Sequence, residues 1–124
     1  QPSAPPAPEV AAAATPALQA TPGDALRGQA DQQRQSGDHA GAAATLERAL
    51  RLKPQDAQLW NRLARVRMDQ GLHSQAANLA ARSNALAGDQ AALKQDNWSI
   101  IAGARRQAGD AAGAADAERR ARGA

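Results

Sequence analysis

The sequence predicts an all-α fold in which three helix hairpins stack on one another, preceded by a disordered linker rich in proline and alanine. Three observations carry this expectation. The chain is crowded with Ala, Leu, Arg and Gln, which lose little entropy in a helix, and it has no Phe or Tyr and only two Trp, so strands lack their usual builders. Apolar residues recur at three- and four-residue intervals between glycine breaks. The chain also repeats itself with a spacing of 34 residues, the mark of a stacked architecture.

Residues 1–22 form the expected linker. Five of the seven prolines fall in the first sixteen residues, and proline, without an amide donor and with φ held near one value, favours a semi-extended tether. A short helical stretch over Val10 to Ala14 has no face to bury. The chain starts at Gln1 and not at a methionine, which fits a start further upstream, exposed by processing or trimming.

The first helix is predicted to open at Thr21-Pro22-Gly23-Asp24, where a hydroxyl cap, a first-turn proline and a carboxylate three residues on satisfy free amides, and to run to Ser36. Gly37-Asp38 breaks the chain. Ala42, Leu46, Ala49 and Leu50 then share one face of a second helix ending at Lys53-Pro54. A third helix carries Leu59, Trp60, Leu63 and Val66 as far as Gly71. The fourth carries Leu72, Ala76, Leu79, Ala80 and Leu86 as far as Gly88. The fifth, from Gln90 to Ala108, holds Leu93, Trp98 and Ile101, and the sixth spans Ala111 to Arg122. Gly37, Gly71, Gly88 and Gly109 read as helix stops.

The repeat gives these helices a common frame. Gly37 and Gly71, Ala42 and Ala76, His39 and His73, and Ala30 and Ala64 are each 34 residues apart. Trp98, Ile101, Ala102, Gly109 and Ala114 each lie 38 residues after Trp60, Leu63, Ala64, Gly71 and Ala76, so the third unit contains four extra residues, about one helical turn, at the start of its first helix. Trp60, Leu63, Ala64, Gly71 and Ala76, with Pro54 before them, resemble the tetratricopeptide repeat (TPR) pattern W-x2-L-(G/A)…G…A. The resemblance covers residues 23–124, with repeats at about 23–56, 57–90 and 91–124, and implies a short right-handed superhelical stack. Ala30, Ala42, Ala64, Ala76, Ala102 and Ala114 are expected where helices cross most closely, since only small side chains let backbones approach there. Gln29, Gln33, Arg67, Arg105 and Glu118 depart from the family pattern at positions usually apolar or aromatic. The last helix has no Leu, Ile, Val or aromatic residue, so it is expected to fray or to lean on a partner.

Chemistry finds little support. The net charge of +3 comes from fifteen cations interleaved with twelve acids, a weak preference for acidic partners. Nucleic-acid binding would call for a basic stripe with aromatic platforms and is not expected. No apolar run is long enough to cross a bilayer, so membrane contact is expected only through an anchor outside these residues. There is no cysteine to form a disulfide or a thiolate metal site. His39 and His73 hold equivalent repeat positions and read as structural filler, while Trp60 and Trp98 read as core. No residue set fills catalytic roles, and no cofactor or metal is expected.

The resemblance to TPR proteins implies a protein-binding adaptor, expected to be monomeric. Its register places Arg27, Asp31, Arg34, Asn61, Arg62, Arg65, Met68, Asp69, Ser99, Ile100 and Arg106 on the concave face lined by the first helix of each pair, where several cations would converge. The Lys/Asn clamp with which chaperone-type TPR domains hold a C-terminal carboxylate is not reproduced. A few repeats behind a Pro/Ala lead is similar to the small TPR lipoproteins of Gram-negative bacteria, tethered to the outer membrane and facing the periplasm. Among these are activators of class A penicillin-binding proteins, which implies such a synthase as the partner. Peptide-binding or scaffolding adaptors of secretion or pilus assembly, and a module that self-associates through its last hairpin, are the alternatives.

Overall fold

The computed structural model describes residues 21–123; residues 1–20 of the expected linker, with the stretch over Val10 to Ala14, lie outside them, while Thr21 and Pro22, placed in the linker from the sequence, cap and open the first helix. Six helices follow one another: α1 (Pro22–Gln35), α2 (His39–Leu52), α3 (Ala57–Asp69), α4 (His73–Leu86), α5 (Ala91–Gln107) and α6 (Ala111–Ala121). There is no strand among the described residues.

Local chemistry sets the boundaries. Thr21 and Asp24 form a reciprocal capping box at the start of α1, with Pro22 at its first turn. Asp38, Asp56 and Asp110 cap α2, α3 and α6 through their carboxylates. Leu72, expected inside the fourth helix, instead stands at its N-cap, 38% exposed, with no side-chain bond to offer. After α1 and α3 the chain turns at Gly37 (φ 87°) and Gly71 (φ 79°), left-handed conformations in which a Cβ would be strained.

Consecutive helices pack as three antiparallel hairpins, and α3 also touches α5. The six alanines assigned to the crossings are all buried, none more than 3% exposed. Their small side chains bring the backbones together while larger ones fill the space between. Leu46, Leu50, Leu59, Leu63 and Val66 make one core cluster with Ala30, Ala42, Ala43 and Ala49. Ala64, Ala76, Ala80, Ile100, Ile101, Ala102 and Ala117 make a second. Helix α3 divides its sides between the two, so the middle hairpin joins both cores.

The indoles, expected in the core, lie half-buried at its edges, Trp60 against the first cluster and Trp98 against the second. Their surroundings repeat: the guanidinium of Arg82 stands 5.3 Å from the centroid of Trp60, and that of Arg120, 38 residues on, stands 5.0 Å from Trp98.

The last helix corrects the expectation that it would fray. α6 is formed, and Ala114 and Ala117 are buried against α5. Alanine can seat a helix without large side chains because the two backbones come close enough for dispersion contacts along the whole face. Asp110 caps its start, Glu118 pairs with Arg106 of α5, and Arg120 covers Trp98. Other polar departures from the repeat pattern are likewise satisfied. Gln33 accepts the Thr45 hydroxyl at 2.7 Å, Arg67 pairs with Glu47 at 3.1 Å, and Arg105 donates to the Gly113 carbonyl at 3.1 Å.

Candidate protein-interaction surface

Helices α1, α3 and α5 lie side by side, and their outward faces border a recess of 460 Å³. Ala30, Leu46 and Val66 supply its apolar lining, and Asp31, Arg34, Asn61, Arg62, Arg65 and Asp96 supply charge and hydrogen bonds. The extra turn of α5 contributes as well. Leu93, read from the sequence as one of the apolar residues of the fifth helix, together with Ala92 lines the recess.

The arginines brought here are bound to the neighbouring hairpin. Arg34 of α1 donates from Nε and an amino group to Asp69 of α3, at 2.5 and 3.3 Å. Arg62 of α3 reaches back to Asp31 of α1 at 3.1 Å. Arg65 of α3 forks forward onto Asp96 of α5, with Nε at 3.0 Å. Arg27 donates to Gln58 at 2.7 Å. The expected convergence of cations is therefore a ladder of links between hairpins in which Arg34, Arg62 and Arg65 are matched by Asp69, Asp31 and Asp96. The hydrogen bond to Asp69, aided by the charge of that carboxylate, raises the Arg34 pKa further above its ordinary value. These pairs are one-third or so exposed, where solvent screening keeps each to about 0–1 kcal/mol.

The remaining assigned residues divide. Asn61 is buried, and its amide donates to Asp96 at 2.7 Å and to Asn97 at 2.8 Å. Ile100 is buried in the second core. Met68 packs against the same core, where Gly103 leaves room for it; a Cβ there would stand 3.3 Å from Met68 Cε. Ser99 and Arg106 are exposed, and Arg106 is engaged with Glu118. Asn61 and Ile100 thus hold the scaffold together, while Asp31, Arg34, Arg62 and Arg65 line the recess.

Sequence reasoning missed the network beneath it. Fully buried Asn97 donates to the Ser83 hydroxyl at 2.8 Å and to the Asn84 side-chain oxygen at 3.0 Å, and Ser83 donates to the Ala57 carbonyl at 2.7 Å. With Asn61 this chain of bonds ties α3, α4 and α5 together. A run of polar residues at inward positions, Ser83 and Asn97 among them, was the available signal. His39 and His73 each bury an Nδ1 without a hydrogen-bond partner, and His39 Nδ1 lies 3.7 Å from Asp69. Among the described residues no three metal-ligating groups converge.

Stacked helix hairpins with small-residue crossings and an exposed lateral groove define a repeat module of the protein-interaction class. The family model for the tetratricopeptide repeat matches residues 33–95, half of the sequence, and the chain belongs to the tetratricopeptide repeat family. Among solved structures it is similar to the globular C-terminal domain of P. aeruginosa LpoP, with 44% sequence identity and a TM-score of 0.80, the match covering 83% of this chain and 97% of that one. No curated protein matches the sequence.

Proposed function

We propose that this chain is the protein-binding domain of a periplasmic lipoprotein, tethered to the outer membrane, that binds and activates a class A penicillin-binding protein. The observation that carries the reading is the 44% identity to the LpoP domain across nearly all of that domain's length. It agrees with the sequence's resemblance to the Gram-negative TPR lipoproteins that activate such synthases. On this reading no residue here touches substrate. The domain binds the active conformation of the synthase more tightly than the inactive one, and the difference in affinity shifts the population. The Pro/Ala-rich residues ahead of α1 act as a tether that raises the local concentration of the domain, so that a modest interface suffices.

The test is a pull-down from periplasmic extract with the domain as bait, followed by a peptidoglycan synthesis assay with and without the domain. Recovery of a class A synthase and a faster reaction are expected. Failure of both would sink the proposal.

The recess along α1, α3 and α5 favours a second reading, a peptide-binding or scaffolding adaptor of secretion or pilus assembly. Its peptide would have to win Arg62 or Arg65 from Asp31 or Asp96. Arg62→Glu and Arg65→Glu should then abolish capture, whereas an activator docking by another face tolerates both.

A further inference from the structure

Two of the arginines without a carboxylate partner among the described residues lie on the other side of α3. There α2 and α4 border a second recess, of 550 Å³. Buried Leu50 and Leu63 form its floor, half-buried Trp60 and Leu79 its walls, and Pro54 one end. The indole is fixed in place, since Trp60 Nε1 donates to the Pro54 carbonyl at 2.8 Å and the Arg82 guanidinium lies over the ring. Arg67, at the rim, is already paired with Glu47. Arg51, which lines the recess, and Arg82 have no carboxylate partner among the described residues. The groove of α1, α3 and α5 is thus internally neutralised, whereas the α2–α4 recess combines an apolar cleft with unspent cations.

We propose that the α2–α4 recess is the docking site for a protein partner, taking an apolar side chain from a segment that carries carboxylates beside it. The proposal rests on the reading of this chain as a protein-binding module and names the surface and the chemistry of the segment. An aliphatic side chain entering between Trp60 and Leu79 removes their exposed carbon from water, and a wall held rigid by its own hydrogen bond loses little entropy on contact. Carboxylates flanking that side chain meet Arg51 and Arg82, and a lysine-flanked segment is repelled by them. The next junction provides an internal contrast. Positions 34 after Glu47, Leu50, Arg51 and Pro54 are Ala81, Asn84, Ala85 and Gly88. Trp98 keeps an indole with an arginine over it, but Leu50 and Arg51 have no counterparts.

The test uses the full chain, isotopically labelled for NMR, and two short acetylated peptides. One sets leucines between aspartates, and the other replaces the aspartates by lysines. The acidic peptide is expected to shift the Trp60 indole N–H and the amides of Gln75, Asn78 and Leu79. Arg51→Glu and Arg82→Gln, exposed changes whose melting curves check the fold, should each weaken it about tenfold. Shifts that centre on Arg34, Arg62 and Arg65 or on Trp98, equal binding of both peptides, no shift at Trp60, or unchanged affinity in Arg51→Glu would each overturn the proposal. The same variant separates the two levels of the argument. If a class A synthase binds wild type and Arg51→Glu equally, the docking site is wrong and the activator reading stands. If no synthase binds while the acidic peptide still moves Trp60, the activator reading falls and the recess stands.

Discussion

Asn97 is fully buried, and its amide both accepts from Asn61 and donates to Ser83 and Asn84. Replacing it by Leu strips the Ser83 hydroxyl of its donor and strands part of the Asn61 amide, each a polar group with no water to turn to. Asn97→Leu is therefore expected to lower stability by about 1–3 kcal/mol in urea unfolding, despite the gain in apolar volume. Ala64 makes the complementary case. It is entirely buried where α3 meets its neighbours, so Ala64→Leu has no space to occupy and should cost about 1–3 kcal/mol or more by the same measurement. Asp24 makes the start of α1 acid-dependent. Its carboxyl is held below the ordinary value of 3.8, chiefly by the backbone amide of Thr21 and then by its hydroxyl. A lowered folded pKa means that the cap contributes fully above the unfolded pKa, near 4, and is lost as pH falls through the folded one. Protection factors of the amides in the first turn of α1, corrected for the intrinsic slowing of exchange in acid, should fall over that descent, and Asp24→Asn should remove the acid dependence there.

At the scale of helices, α4 and α5 both start without a side-chain cap, and α4 has an exposed Leu72 where α2, α3 and α6 place aspartate. Leu72→Asp should add a cap and stabilise the domain by about 1 kcal/mol, seen as a rise of several degrees in the melting midpoint. The elements and their crossings were legible in the sequence because each has a local or strictly periodic signature: a capping box at Thr21, glycine breaks, alanines at a fixed repeat position. The links between helices were not. Arg27 to Gln58, Arg62 to Asp31 and Arg65 to Asp96 each span 31 residues, a separation that belongs to neighbouring hairpins and leaves no trace within either one. The fate of α6 was hidden for a different reason. Hydrophobic counting gives alanine little weight, yet at a close crossing its small size is what allows contact.

For the molecule as a whole, the middle hairpin is shared by both cores, so the stack should open from its ends first and at the middle hairpin last. Removing residues 111–123 exposes the α5 face that Ala114 and Ala117 cover and takes Arg120 from Trp98. Hydrogen exchange should then show α5 losing protection while α1, α2 and α3 keep theirs, and uniform loss across all helices would contradict this division of the core. The groove arginines add a last consequence. Because Arg62 is joined to α1 and Arg65 to α5, a ligand carboxylate that draws either one away also undoes a strut between adjacent hairpins. A carboxylate ligand in that groove would therefore loosen the seam between adjacent hairpins as it binds, at a cost of about 0–1 kcal/mol for each pair it breaks.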